Sequence, residues 1–120
     1  MRSEQINELA AALVKAQGEF SAIPKDSDNP FFKSKYAALP DVVKVATPIL
    51  AKNGLAVSQF IAVDDNGNDN MVTYLLHSSG QFIAHTAALH LVKNDPQAQG
   101  SAVTYLRRYS YMSVLGLVAD

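Results

Sequence analysis

The sequence predicts an α+β fold: an antiparallel three-stranded meander covered by a C-terminal helix, a β-β-β-α core, with two N-terminal helical segments before it. Apolar residues recur at helical spacing near both ends of the chain, over residues 4 to 17 and from about residue 97 onward. Between residues 55 and 92 that period gives way to short β-forming runs parted by polar turns. A three-stranded sheet needs a second layer, and the last helix is long enough to supply one. At 120 residues and 48% hydrophobic the chain can bury one core and not two, so residues 1–120 are read as a single domain.

Taken in order, residues 4 to 17 place Ile6, Leu9, Ala10 and Leu13 on one side of a helix, with Ser3 positioned to cap its start. From Ser21 to Pro40 the period disappears, and Pro24, Asp26, Ser27, Asp28, Asn29 and Pro30 predict a long loop. A second helix follows Pro40-Asp41 through Val42, Val45, Ala46, Ile49 and Leu50. It stops at Asn53-Gly54, and Pro48 is expected to kink or divide it. Leu55 to Val63 is the first strand, Asp64 to Asp69 a polar hairpin turn, Met71 to His77 the second strand, Ser78-Ser79-Gly80 a turn, and Gln81 to Val92 the third strand. Asp95 can cap the last helix, with Pro96 at its first position and helical spacing from Gln97 to Leu117. Two sheet edges stay open in this arrangement, which favours self-association.

Ten basic side chains face eleven acidic ones, so the chain is neither a charged disordered tail nor a globally basic binder, and any nucleic-acid contact must come from a local patch. The absence of cysteine removes disulfides, a thiolate nucleophile, iron–sulfur clusters and cysteine-based zinc sites, and suits a reducing cytoplasm. Glu4, Asn7 and Glu8 break up what would be a signal peptide's apolar region, and no apolar run approaches the roughly 18 residues that span a bilayer. A soluble, unexported protein is expected.

Chemistry is expected on the last helix. At 100° per residue, Ala102, Tyr105, Leu106, Tyr109, Met112 and Gly116 are assigned to the sheet side, and Thr104, Arg107, Arg108 and Tyr111 to the outer side. Two arginines on a surface helix are ordinarily just a solvated face. Here residues 96 to 119 carry both arginines and no acid, so the charge on that helix has one sign. Forked guanidinium groups beside a hydroxyl and a phenol can bind phosphates and stack on bases. A second candidate is Asn29-Pro30-Phe31-Phe32-Lys33-Ser34-Lys35-Tyr36, where rings and lysines alternate. The rings there either anchor the loop in the core or meet bases. Four lysines against Asp41 alone between Pro30 and Asn53, with acids gathered at Asp64, Asp65, Asp69 and Asp95, make the near-neutral total a polarised one.

Other constellations carry less. His85 and His90 have opposite strand parity, which argues against a histidine metal site with His77. A calcium loop starting at Asp64 would need Gly and Glu where the chain has Asp69 and Leu75. There is no Gly-rich phosphate loop with lysine, no Gly-x-Ser-x-Gly elbow and no carboxylate set for two magnesium ions. No metal, cofactor or enzymatic reaction is expected.

The run Pro96-Gln97-Ala98-Gln99-Gly100-Ser101-Ala102-Val103-Thr104-Tyr105-Leu106-Arg107-Arg108-Tyr109, with Leu115-Gly116 and Asp120 after it, resembles the signature of the ERF (essential recombination function) family of phage single-strand annealing proteins. Asn29 to Ala37 and Ala51-Lys52-Asn53-Gly54-Leu55 resemble the family's N-terminal block, in the expected order. The resemblance implies ATP-independent annealing of complementary DNA strands in phage homologous recombination and a fold related to the eukaryotic annealing protein Rad fifty-two. It further implies a homo-oligomer, ring or filament, in the cytoplasm of a bacterial host, working with a phage exonuclease or a host single-strand binding protein. Family members usually continue past the equivalent of Asp120, so a C-terminal tail for such contacts is expected to be absent from this chain.

Resemblance and charge converge on one set of DNA-binding residues. Arg107 and Arg108 are expected to neutralise phosphates, Lys33 and Lys35 to add backbone contacts, and Tyr36 or Tyr111 to stack on bases. Gly100 and Ser101 would let the helix backbone approach a phosphate, next to Thr104. A passive single-strand binding module and an oligomerising protein-interaction domain are the alternatives.

Overall fold

The computed structural model of the chain describes residues 1–20, 38–91 and 94–117 in full, and residues 27–29 and 34–36 by their backbone. Its elements are α1 (Asn7–Glu19), β1 (Ser27–Asn29), β2 (Ser34–Tyr36), α2 (Leu39–Lys52), β3 (Leu55–Val63), β4 (Asp69–His77), β5 (Phe82–Ala88) and α3 (Pro96–Leu115). The α+β meander with its C-terminal helix is therefore present. Within the expected loop over Ser21 to Pro40, β1 and β2 pair antiparallel, Ser27 opposite Tyr36, and the rest of that stretch up to Ala37 lies outside the described residues. No helix among the described residues is long and apolar enough to cross a membrane.

The larger sheet has the order β3-β4-β5, antiparallel throughout, with Leu55 opposite His77 and Leu76 opposite Phe82. Because partners across a ladder share a face, one side carries Leu55, Val57, Gln59, Met71, Thr73, Leu75 and Ile83. All three helices pack on this side. Leu55 and Leu75 join Leu9, Ala12, Ala16, Val42, Ala46, Leu50, Tyr111 and Leu115 in one buried cluster. The opposite side holds a row of aromatic rings, Phe60 on Tyr74 at 5.7 Å and Tyr74 on Phe82 at 5.6 Å between centroids, and no charged residue.

The helix ends differ from expectation in instructive ways. Ser3 does not cap α1. Its backbone N–H donates to the Phe82 carbonyl at 2.9 Å, and its Oγ accepts from the Phe82 N–H at 3.0 Å. With Ala84 N–H donating to the Met1 carbonyl, the first three residues form a short extra rung on the β5 edge. The open amides at the start of α1 are met from far away in sequence: Gln81 Oε1 accepts from Glu8 N–H at 2.9 Å and Leu9 N–H at 3.0 Å, and Gln81 Nε2 donates to Asn7 Oδ1. Local capping rules cannot see such a partner. In α2, Asp41 Oδ2 accepts from the Ala38 N–H, and the helix runs on past Pro48 undivided. Lys44 and Pro48 both lie on the exposed side, so the carbonyl that Pro48 leaves without a donor faces water.

The hairpin between β3 and β4 is held by Asp64, whose Oδ1 accepts from the N–H groups of Asn66 and Asn68, both at 2.9 Å. These bonds, the one from Asn68 first, hold the Asp64 carboxyl below its ordinary value. The third strand, expected to reach Val92, ends at Ala88. Its partner β4 starts at Asp69, which accepts a last rung from Leu89 N–H, and Val92 lies outside the described residues. Across the far side, Lys52 Nζ meets Glu19 Oε2 at 2.8 Å and lowers the Glu19 pKa.

The largest correction concerns the phase of α3. Asp95 caps it as expected, its Oδ1 accepting from Ala98 N–H, and Gly116 ends it in the left-handed region at φ 70°. Yet Tyr105 and Tyr109, assigned to the sheet side, are 57% and 58% exposed, and Gly116 is an exposed cap. Tyr111, assigned to the outside, is 7% exposed in the core, and Ser110 is 1% exposed. The inward face is centred one residue further along, a rotation of about 100°. The outward assignment holds for Thr104 and Arg107, which are exposed, while Arg108 is half-buried.

Candidate nucleic-acid interface

Two side-chain rows run along the outer side of α3 at spacing i, i+4: Gly100, Thr104 and Arg108, and beside them Gln97, Ser101, Tyr105 and Tyr109. The first turns of α3 lie across from the start of α2, and the groove between them has a volume of about 720 Å³. Ala38, Leu39 and Pro40 form its apolar wall. Gly100, Ser101, Thr104, Tyr105 and Arg108 supply its polar side. Four of the expected binding residues are thus brought into one concave surface. Nothing among the described residues lies within 4 Å of where a Cβ on Gly100 would stand, so its missing side chain serves no internal packing.

Arg107 takes a different direction. It lines a second cleft, of about 420 Å³, between α2, β3 and α3, together with Leu39, Val43, Thr47, Gln59 and Tyr111. Gln59 Nε2 ties this cleft together, donating to the Arg107 carbonyl at 3.0 Å and to Thr73 Oγ1 at 3.0 Å. Tyr111 is 7% exposed, and burial raises its phenol pKa, partly offset by a hydrogen bond with Thr47. The stacking expected of Tyr111 thus falls on a side chain packed in the core. The side chains of Lys35 and Tyr36, on β2, and the whole of Lys33 lie outside the described residues.

What the sequence reading missed is the pair Tyr105 and Tyr109. Their rings lie 6.2 Å apart and within 11° of parallel, one turn apart on the open side of the helix. A signal for them exists in the rows themselves. The row through the tyrosines reads Gln97, Ser101, Tyr105, Tyr109 and Ser113, polar apart from the rings, whereas the adjacent row reads Ala102, Leu106, Ser110 and Val114.

No carboxylate lies between Pro96 and Leu117, so Arg107 and Arg108 set the charge of the whole helix. Among the described residues no group of three His, Asp or Glu is placed to hold a metal ion. A guanidinium group, hydroxyls and an aromatic ring in one groove, with a second guanidinium on the same acid-free helix, are the groups used by proteins that hold single-stranded nucleic acid. The chain belongs to the ERF superfamily, whose sequence model matches residues 9–120. No curated protein and no solved structure matches it. Membership supports a general role in phage recombination and strand annealing through interaction with single-stranded DNA, in a family of DNA-binding and annealing proteins rather than classical enzymes.

Proposed function

We propose that residues 1–120 form one single-strand annealing domain, which binds single-stranded DNA and promotes pairing of complementary strands without ATP during phage recombination. The observation that carries this reading is the groove that collects Gly100, Ser101, Thr104 and Arg108 on an acid-free helix, in a chain of the ERF superfamily. Arg108 and Arg107, about 100° apart around the helix, neutralise neighbouring phosphates of one strand, while the Ser101 and Thr104 hydroxyls donate to phosphate oxygens. Lys33 and Lys35 add backbone contacts and Tyr36 a stacking surface. Holding a strand by its phosphates leaves base edges free, so a second strand can test pairing without the protein reading sequence.

Annealing also asks for a row of subunits, and the partner proposed is a second copy of this chain. β3 is an edge strand of nine residues with neither charge nor proline, lacking the usual protection of a monomer's edge. The aromatic sheet face beside it measures roughly 30 by 14 Å from strand geometry, about half of the roughly 800 Å² that a stable interface takes from each partner. Edge and face together supply what the face alone does not. A phage exonuclease or a host single-strand binding protein, in the bacterial cytoplasm, completes the proposed setting.

The test is a quenched-fluorophore annealing assay with two complementary oligonucleotides and no ATP, comparing the wild type with the R107A/R108A variant. Acceleration by the wild type, lost in the variant together with about 1.4 of the slope of log affinity against log salt, is the expected result. Measurable single-strand binding with no acceleration would leave a passive binder and refute the annealing role. An unchanged salt slope in the variant would remove the arginines from it.

A further inference from the structure

We infer that Tyr105 and Tyr109 form a base-stacking platform that holds the nucleobases of the bound strand while the adjacent groove holds its phosphates. This inference rests on the single-strand binding reading above and adds to it the side chains that meet the bases.

The argument begins with the cost of the arrangement. α3 leaves both tyrosines more than half exposed and buries Ser110 instead. Ser110 Oγ has no hydrogen-bond partner among the described residues. The fold thus places an unsatisfied hydroxyl inside and two large rings outside, the reverse of what burial favours. Packing of Tyr111 and Leu115 sets which positions of α3 face outward, but rings at two of those positions add little to the core, and a ligand with planar faces gives them a use.

Geometry selects the ligand. The rings lie within 11° of parallel with centroids 6.2 Å apart, a spacing close to the rise over four helical residues, about 6 Å. Successive bases stack at about 3.4 Å in a duplex, so two surfaces spread this far suit a strand drawn out of its duplex stack. Tyr105 also lines the groove that holds Ser101, Thr104 and Arg108. A nucleotide whose phosphate meets Arg108 therefore has an aromatic ring beside it for its base, and Tyr109, one turn on, serves a neighbour. Ring stacking tolerates every base because each has a π-face, which is what an annealing protein needs. Neither phenol is required for stacking, so phenylalanine should serve at both positions.

The experiment uses the whole chain and three forms of it: wild type, Y105A/Y109A and Y105F/Y109F. Each is titrated with a single-stranded oligonucleotide and with an abasic strand of the same length, at several salt concentrations. Circular dichroism confirms that all three are folded. The chain has five tyrosines and no tryptophan, so intrinsic tyrosine emission reports ring contact directly. For the alanine form, the expected result is a loss of affinity of about tenfold or more with the salt slope unchanged, since no charge is removed, and little preference left for the normal over the abasic strand. The phenylalanine form should bind like the wild type, with much of the tyrosine quenching gone. An alanine form that binds normally and still prefers strands with bases would overturn the inference while leaving the arginine groove intact. Failure of the wild type to bind any single strand would remove the binding reading, and the platform with it.

Discussion

Gly100→Ala separates what the fold wants at that position from what a ligand wants. Gly100 is the fifth residue of α3, where glycine costs a helix up to about 1 kcal/mol relative to alanine. Among the described residues no atom outside its own stretch of helix backbone lies within 4 Å of the added Cβ, and no positive φ occurs there, so the methyl group brings neither clash nor backbone strain. The variant should therefore be more stable by about 0.5–1 kcal/mol, raising the melting temperature by about 2–4 °C for a chain of this size. The same methyl stands on the polar side of the groove, between Ser101, Thr104 and Arg108. A strand backbone pushed outward by it loses on the order of one charge-assisted hydrogen bond, about 1.5 kcal/mol, so single-strand affinity should fall about tenfold. Thermal melts read the first effect and fluorescence anisotropy with a labelled oligonucleotide the second. A more stable variant with unchanged affinity would refute close approach of the strand at Gly100.

Two further outcomes test the scaffold. Gln81→Ala removes the acceptor that caps the Glu8 and Leu9 amides and the bond that ties α1 to β5, so stability should fall by about 1–2 kcal/mol in denaturant titrations, with hydrogen exchange rising first at the start of α1. Ser110→Ala deletes a buried hydroxyl that has no partner among the described residues while keeping the small buried volume, and should stabilise the chain by about 1 kcal/mol without changing its binding to DNA. A neutral or destabilising Ser110→Ala would mean that the hydroxyl is satisfied in solution.

The elements were legible wherever a short-range rule decides them. The strands β3 and β4 follow from β-forming runs on either side of an Asn-Gly turn, and Asp95 with Pro96 marks the start of α3 to the residue. Long-range partners were not legible. Ser3 reads as a cap by its distance from the first apolar residues, but it pairs with Phe82, and the cap comes from Gln81. Of the candidate site, Gly100, Ser101, Thr104 and Arg108 were picked out through charge and resemblance, and they line one groove. The error in Tyr105, Tyr109 and Tyr111 has one source. Tyrosine has an apolar body and a polar tip, so a helix with few aliphatic residues and three tyrosines has no strong phase in its hydrophobic pattern.

The phase that α3 does adopt joins fold to function. Leu115 and Tyr111 are drawn into the cluster with α1 and α2, and Gly116 turns the chain so that Leu117 N–H closes on the Met112 carbonyl at 3.0 Å. Gln17 Nε2 donates to the Leu115 carbonyl and fixes that end against α1. With the C-terminal end held in this way, the rotation of the helix is set, and Ser110, small enough to lie against the sheet, falls inward while Tyr109 and Tyr105 fall outward. Moving the tyrosines inside would require turning the helix by about 100°, which would pull Tyr111 and Leu115 out of the core. The same rotation presents Arg108, Thr104 and Ser101 to the start of α2. Packing at one end of α3 thus determines which groups its other end offers to solvent, and a rigid helix carries that choice across the groove.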